Sequence, residues 1–161
     1  MKILTKLSYL FILLLLVSSC NKENPINTIS EENKTDNSIT PVYTLSMSIV
    51  QNTTNQSYLL YENTQSFSMF GTSDETFFTR KGVNSTFEVT CTYTWTGNTS
   101  STVAGVFEIT KGSFRWNSDY FFASGSSGSN TVTYHNVNLQ TAQTYDAIMM
   151  NSTFAEHDKS K

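Results

Sequence analysis

The chain has 161 residues, with 10 basic and 13 acidic side chains, a formal net charge of −3 and 38% hydrophobic residues. This length suits one domain, and the lack of a basic cluster argues against nucleic acid and anionic lipid headgroups as partners. Only four of the eleven leucines lie beyond residue 20, where Thr, Phe, Tyr and Val take over. Strand formers therefore outnumber helix formers, and the expected fold class is all-β.

The chain starts with Lys2 and Lys6, followed by eleven mostly apolar residues from Leu7 to Val17 (LSYLFILLLLV). A spanning helix needs about 20 apolar residues, so the run is too short to cross a membrane. It has the layout of an export signal instead. Val17-Ser18-Ser19-Cys20 closes the run and resembles the lipobox of bacterial lipoproteins. The resemblance covers residues 1–23 only, and no family is indicated for the rest of the chain. It implies a signal peptide at 1–19 and a Cys20 that carries diacylglyceryl and N-acyl chains such as palmitate. The membrane is then a partner through lipid, because two or more acyl chains anchor stably where one does not. Asn21, rather than aspartate, after the cysteine implies the outer membrane. Asn21-Lys22-Glu23 is similar to the export signals of surface-displayed lipoproteins, and surface and periplasm both stay open. The other reading of the leader is an ordinary secretory signal cut near Ser19, with Cys20 free or paired with Cys91.

Once Lys2 and Lys6 are removed, eight basic residues face thirteen acidic ones, a formal charge of −5. Residues 20–41 are polar and nearly free of aromatics, which reads as a flexible tether. About 20 residues of coil reach roughly 25 Å. The folded domain is expected at 42–155, followed by a charged tail at 156–161 (EHDKSK).

Within the domain the period is two. Tyr43, Leu45, Met47 and Ile49 alternate with Thr and Ser, and Phe87, Val89, Cys91, Tyr93 and Trp95 alternate with Glu88, Thr90, Thr92, Thr94 and Thr96. Val132 and Tyr134, then Tyr145, Ala147 and Met149, repeat the pattern. Alternation of this kind marks strands with one buried and one wet face. Shorter strands are expected within 58–61, 66–70, 76–79, 103–110, 112–116 and 119–123. Gly- and Asn-bearing turns are expected at 52–55, 62–63, 71–74, 81–84, 97–101, 111–112 and 125–130. The serine-rich Ser124–Ser129 reads as a mobile hairpin tip. About 8–9 short strands make an antiparallel β-sandwich, and a closed up-and-down β-barrel built of consecutive hairpins is the alternative.

The residues suited to catalysis are few, and no catalytic residue, metal site or cofactor is expected. His135 belongs to a polar strand face and His157 to the tail, with no third ligand at zinc spacing. Asp74-Glu75 with distant Asp119 or Asp146 does not supply the six to eight oxygens that calcium takes. Cys91 reads as a small buried hydrophobe. Glu88 and Glu108, both expected on wet faces, would serve glycoside hydrolysis only at ~5–9 Å separation. The six Asn-x-Ser/Thr sequons are expected by chance in so Asn- and Thr-rich a chain.

Aromatics are the more suggestive feature. Phe114-Arg115-Trp116 and Tyr120-Phe121-Phe122 flank Asn117-Ser118-Asp119. Neighbouring residues of a strand face opposite ways, so one ring of the second run, and one of Phe77-Phe78, emerges outward. Arg115, Trp116, Asp119, Tyr120 and Phe121 are accordingly the candidate ligand site, a ring beside polar groups that suits a sugar. The leading expectation is a non-catalytic binding module for a glycan or an envelope protein. A glycan-active hydrolase and an inhibitor or immunity protein are the alternatives.

Overall fold

A computed structural model of the chain describes residues 39–82, 84–99 and 102–154. The leader with Cys20, the tether as far as residue 38 and the tail with His157 lie outside the described residues. Among the described residues there are nine strands: β1 Val42–Asn52, β2 Ser57–Phe67, β3 Gly71–Phe78, β4 Thr86–Thr99, β5 Val103–Lys111, β6 Phe114–Asn117, β7 Phe121–Phe122, β8 Gly125–Tyr134 and β9 Thr144–Thr153.

They form two antiparallel sheets packed face to face, a β-sandwich and not a closed barrel. One sheet runs β2-β1-β4-β8, and the other runs β3-β9-β5-β6 with β7 also paired to β5. Sequential pairing is limited to β1–β2 and β5–β6. Every other connection between consecutive strands either crosses between the sheets or leads to a strand that does not pair with its predecessor. The run of consecutive hairpins expected from the short connections is therefore corrected. A short turn can carry a strand across the core as readily as back along its own sheet.

Alternation places the core where the sequence predicts it. Tyr43, Leu45, Met47 and Ile49 of β1 face Phe87, Val89, Cys91, Tyr93 and Trp95 of β4, and all are buried. Tyr145, Ala147 and Met149 of β9 supply the opposing layer with Phe107, Ile109 and Phe121. On the outer face of the first sheet, Thr44–Ser66, Ser46–Thr64, Thr92–Thr131 and Thr94–Ser129 join hydroxyls across the strands.

Three expected turns lie inside strands. Glu62 and Asn63 pair with Ser48 and Met47 in the middle of β2, Gly71–Asp74 opens β3, and the serine-rich segment starts β8. The reason in β8 is a ring. A Cβ on Gly128 would stand 2.3 Å from Cζ2 of Trp95, so glycine here makes room for the indole, whose N–H donates to the Ser124 carbonyl at 3.0 Å. The strand expected over 66–70 ends at Phe67, and 68–70 is the connection to β3.

Strand β5 is buried on both faces, as befits a central strand. Glu108, expected on a wet face, is 5% exposed and lies 3.6 Å from Arg115 Nε.

Candidate functional site

The five residues nominated from the sequence do not converge. Cross-strand partners share a face, and Trp116 is opposite core-facing Ile109. It is half-buried and meets Tyr134 edge-on at 5.2 Å. Asp119 is nearby, its backbone N–H donating to the Tyr134 hydroxyl at 3.0 Å. Arg115 points the other way, toward Glu108. Phe121 is 1% exposed and packs edge-on against Phe107, which removes it from any surface site. The ring that emerges is Phe122, clustered with Tyr120 and Phe154. Likewise Phe77 is buried and Phe78 exposed.

Glu88 and Glu108 belong to opposite outer faces of the sandwich. Their neighbours Phe87, Val89, Phe107 and Ile109 all point into the shared core, so a carboxylate pair at hydrolase spacing does not form. Hydrogen bonds from His135, at 2.8 Å, and from Asn52 hold the Glu88 carboxyl below the usual range. Burial pushes the Cys91 thiol well above its ordinary value, so it is a packed thiol rather than a nucleophile. No group of three or more His, Cys, Asp or Glu that could hold a metal ion occurs among the described residues.

A cleft lies elsewhere, at the end of the sandwich formed by the β1–β2 turn and the β3–β4 connection. It encloses about 610 Å³ and is lined by Thr53, Thr54, Asn55, Tyr58, Phe78, Arg80, Lys81 and Gly82. This size is within the ordinary range for ligand pockets, ~300–1,000 Å³.

Each wall has a local cause. Thr53 closes its turn twice, through backbone N–H and hydroxyl, onto the Gln56 carbonyl at 2.9 and 2.8 Å. The register slips by one residue between Ile49 and Val50, so that Gln51 pairs with Tyr58 rather than Leu59. Bulges at sheet edges re-aim side chains in this way. The Arg80 guanidinium lies 4.5 Å over the Tyr58 ring, a cation–π contact that leaves the edge of the guanidinium available to an anion.

The loop carrying these cations is held from beneath. Buried Gln51 accepts from the Arg80 N–H at 2.8 Å and donates to the Arg80 carbonyl at 2.9 Å and to Ser85 Oγ at 3.0 Å. Buried Thr79 donates its N–H to the Gln143 carbonyl at 2.8 Å and its hydroxyl to the Gln140 carbonyl at 2.7 Å. The site is thus pre-organised, which lowers the ordering cost of binding.

Charge separates this cleft from the rest of the surface. The cations among the described residues are Arg80, Lys81, Lys111 and Arg115. Arg115 faces Glu108, and Lys111 is bonded to Gln143 and lies near the Tyr145 ring. Arg80 and Lys81 have no carboxylate within ion-pair distance among the described residues, and both line the cleft. The sequence signal was Arg80-Lys81-Gly82, an adjacent cation pair in an acidic chain. Its turn propensity masks it. Comparison with known protein families, with curated proteins and with solved structures finds no match to this chain.

Proposed function

We propose that the protein is a lipid-anchored lipoprotein of the bacterial outer membrane whose β-sandwich is a non-catalytic binding module for glycans bearing acidic groups. The observation that carries this reading is the cleft, where the cations Arg80 and Lys81 meet the rings of Tyr58 and Phe78 beside Thr53, Thr54 and Asn55. Rings supply apolar contact to a sugar, hydroxyls and amide fix its orientation, and a guanidinium receives a carboxylate or sulfate through paired N–H groups. Position supports it as well. Eleven residues of β1, at ~3.4 Å each, put the cleft roughly 34 Å from the point where the chain enters the domain. The chain that leads from Cys20 enters the domain at the opposite end from the cleft.

The test is a binding screen of the full chain against uronate and sulfated oligosaccharides, each beside its methyl-esterified or desulfated counterpart. Acidic members bind, Lys81→Gln weakens them by about tenfold, the worth of one charge-assisted hydrogen bond, and Lys111→Gln, an equal change in charge outside the cleft, leaves them unaltered. Equal effects of the two substitutions, or no binding, would overturn the assignment. Capture of an envelope protein in place of any glycan counts against it too. Mass spectrometry of the mature N-terminus tests the anchor separately. Acyl groups on Cys20 are expected, and an unmodified terminus there refutes it.

A further inference from the structure

Of the eight large apolar side chains exposed among the described residues, Leu59 and Phe78 lie toward the cleft and the other six lie together. Ile39, Val42, Met69, Phe70, Phe122 and Phe154 are 39–70% exposed, and the strand register gathers all six at one end of the sandwich. Val42 begins β1. Met69 and Phe70 connect Phe67, the partner of Tyr43, to Gly71, the partner of Asn151. Phe122 pairs with Ala104, which pairs with Ser152, and Phe154 follows β9. Phe122 and Phe154 are 5.7 Å apart and form a three-ring cluster with Tyr120. The cleft with Arg80 and Lys81 lies at the other end.

Among the described residues the same end carries no charge. Residues 39–47, 64–73, 95–99, 102–107, 120–131 and 147–154 contain no Asp, Glu, Lys or Arg. The four described cations and the described carboxylates all lie beyond these stretches. Water-facing ends of domains normally carry charge, and an apolar fringe without it marks a surface that meets another phase or partner.

We infer that this end of the sandwich rests on a lipid bilayer, with Met69, Phe70, Phe122 and Phe154 in the headgroup–acyl boundary. Three features select lipid over a protein partner. The apolar groups project from four separate stretches of chain around the rim instead of lining one groove, so they fit a fluid phase better than a shaped surface. Aromatic rings with a polar edge, such as Tyr120, suit the interface. The chain itself leads there, since Ile39 is at this end and only eighteen residues separate it from Cys20. The absence of cations among the described residues of this end commits its contact to lipids without net charge, held by apolar burial and insensitive to salt.

The orientation rests in part on the anchored reading, and the experiment separates the two. The full chain is reconstituted into phosphatidylcholine vesicles with or without brominated acyl chains, as Phe70→Trp, Phe122→Trp and Phe78→Trp, the last at the cleft end. The emission added to the Trp95 and Trp116 background is then read. Trp at 70 and 122 emits to the blue and loses most of its added emission to brominated lipid. Trp at 78 emits to the red and is quenched by aqueous iodide instead. Water-exposed emission at all three positions overturns the inference, and so does shielding of 70 and 122 from iodide without quenching by lipid, the mark of a protein contact. Lipid quenching at 70 and 122 with an unacylated Cys20 keeps the inference and refutes the anchor alone.

Discussion

The carboxamide of Gln51 holds the backbone of Arg80 from both sides, accepting its N–H at 2.8 Å and donating to its carbonyl at 2.9 Å. Gln51 is fully buried, so the loop that carries the two cleft cations is fastened to the interior rather than to the surface. A glutamine on the inner face of β1 breaks the apolar pattern of that strand, and the broken pattern is what positions the site.

Gln51→Leu keeps the volume and removes the clamp. Unpaired polar groups at Arg80 and Ser85 should cost about 1–3 kcal/mol, read from urea denaturation. Affinity for acidic oligosaccharides should fall too, although no ligand-facing side chain has changed. Unchanged affinity would mean that the loop is held without Gln51.

Phe87→Ala removes a ring that is 1% exposed, and a large-to-small change in the core should cost ~3–5 kcal/mol. Thr92→Ala, which loses only an outward hydroxyl bonded to Thr131 at 2.9 Å, should cost under ~1 kcal/mol. Equilibrium unfolding of the two variants checks the inward and outward faces of β4.

Stability should decline in alkali. Burial raises the pKa values of Cys91, Tyr93 and Tyr43 above their ordinary values. Their protonated forms are therefore favoured in the folded state. That contribution is complete below the pKa values of the unfolded chain and is lost as pH rises past them, beginning near pH 8.5 for a thiol and about 10 for a phenol. Urea midpoints should be level across neutral pH and fall above ~9. Tyr93 adds a structural element, since its hydroxyl donates to buried Asn151 Oδ1 at 2.8 Å and links the two sheets.

Gly128→Val places carbon where the Trp95 ring lies. Overpacking of this kind costs typically ~1–3 kcal/mol. The lower urea midpoint should come with a shifted Trp95 emission, because the indole must leave its bond to Ser124. A variant as stable as the parent would show that β8 gives way instead.

Alternation along the chain is enough to identify the β class and the facing residues of β1, β4 and β9, while the choice of a two-layer sandwich over a closed barrel waits on the strand partners. Inward apolar residues at a period of two are a local property, set by the pleat of a single strand. Partner choice is not local. Glu108 looks like a wet-face residue until β6 and β9 flank β5 and Arg115 closes over it. Ser124–Ser129 looks like a loop until Trp95 claims the space above Gly128. The cleft shares this dependence, since Tyr58 comes from one segment and Phe78 and Arg80 from another. They meet through a one-residue slip in β2 and a buried amide, neither of which leaves a periodic trace. The end without charge among the described residues arises in the same way. Its six apolar residues come from four stretches far apart in the chain and become one surface only when the strand register aligns their ends.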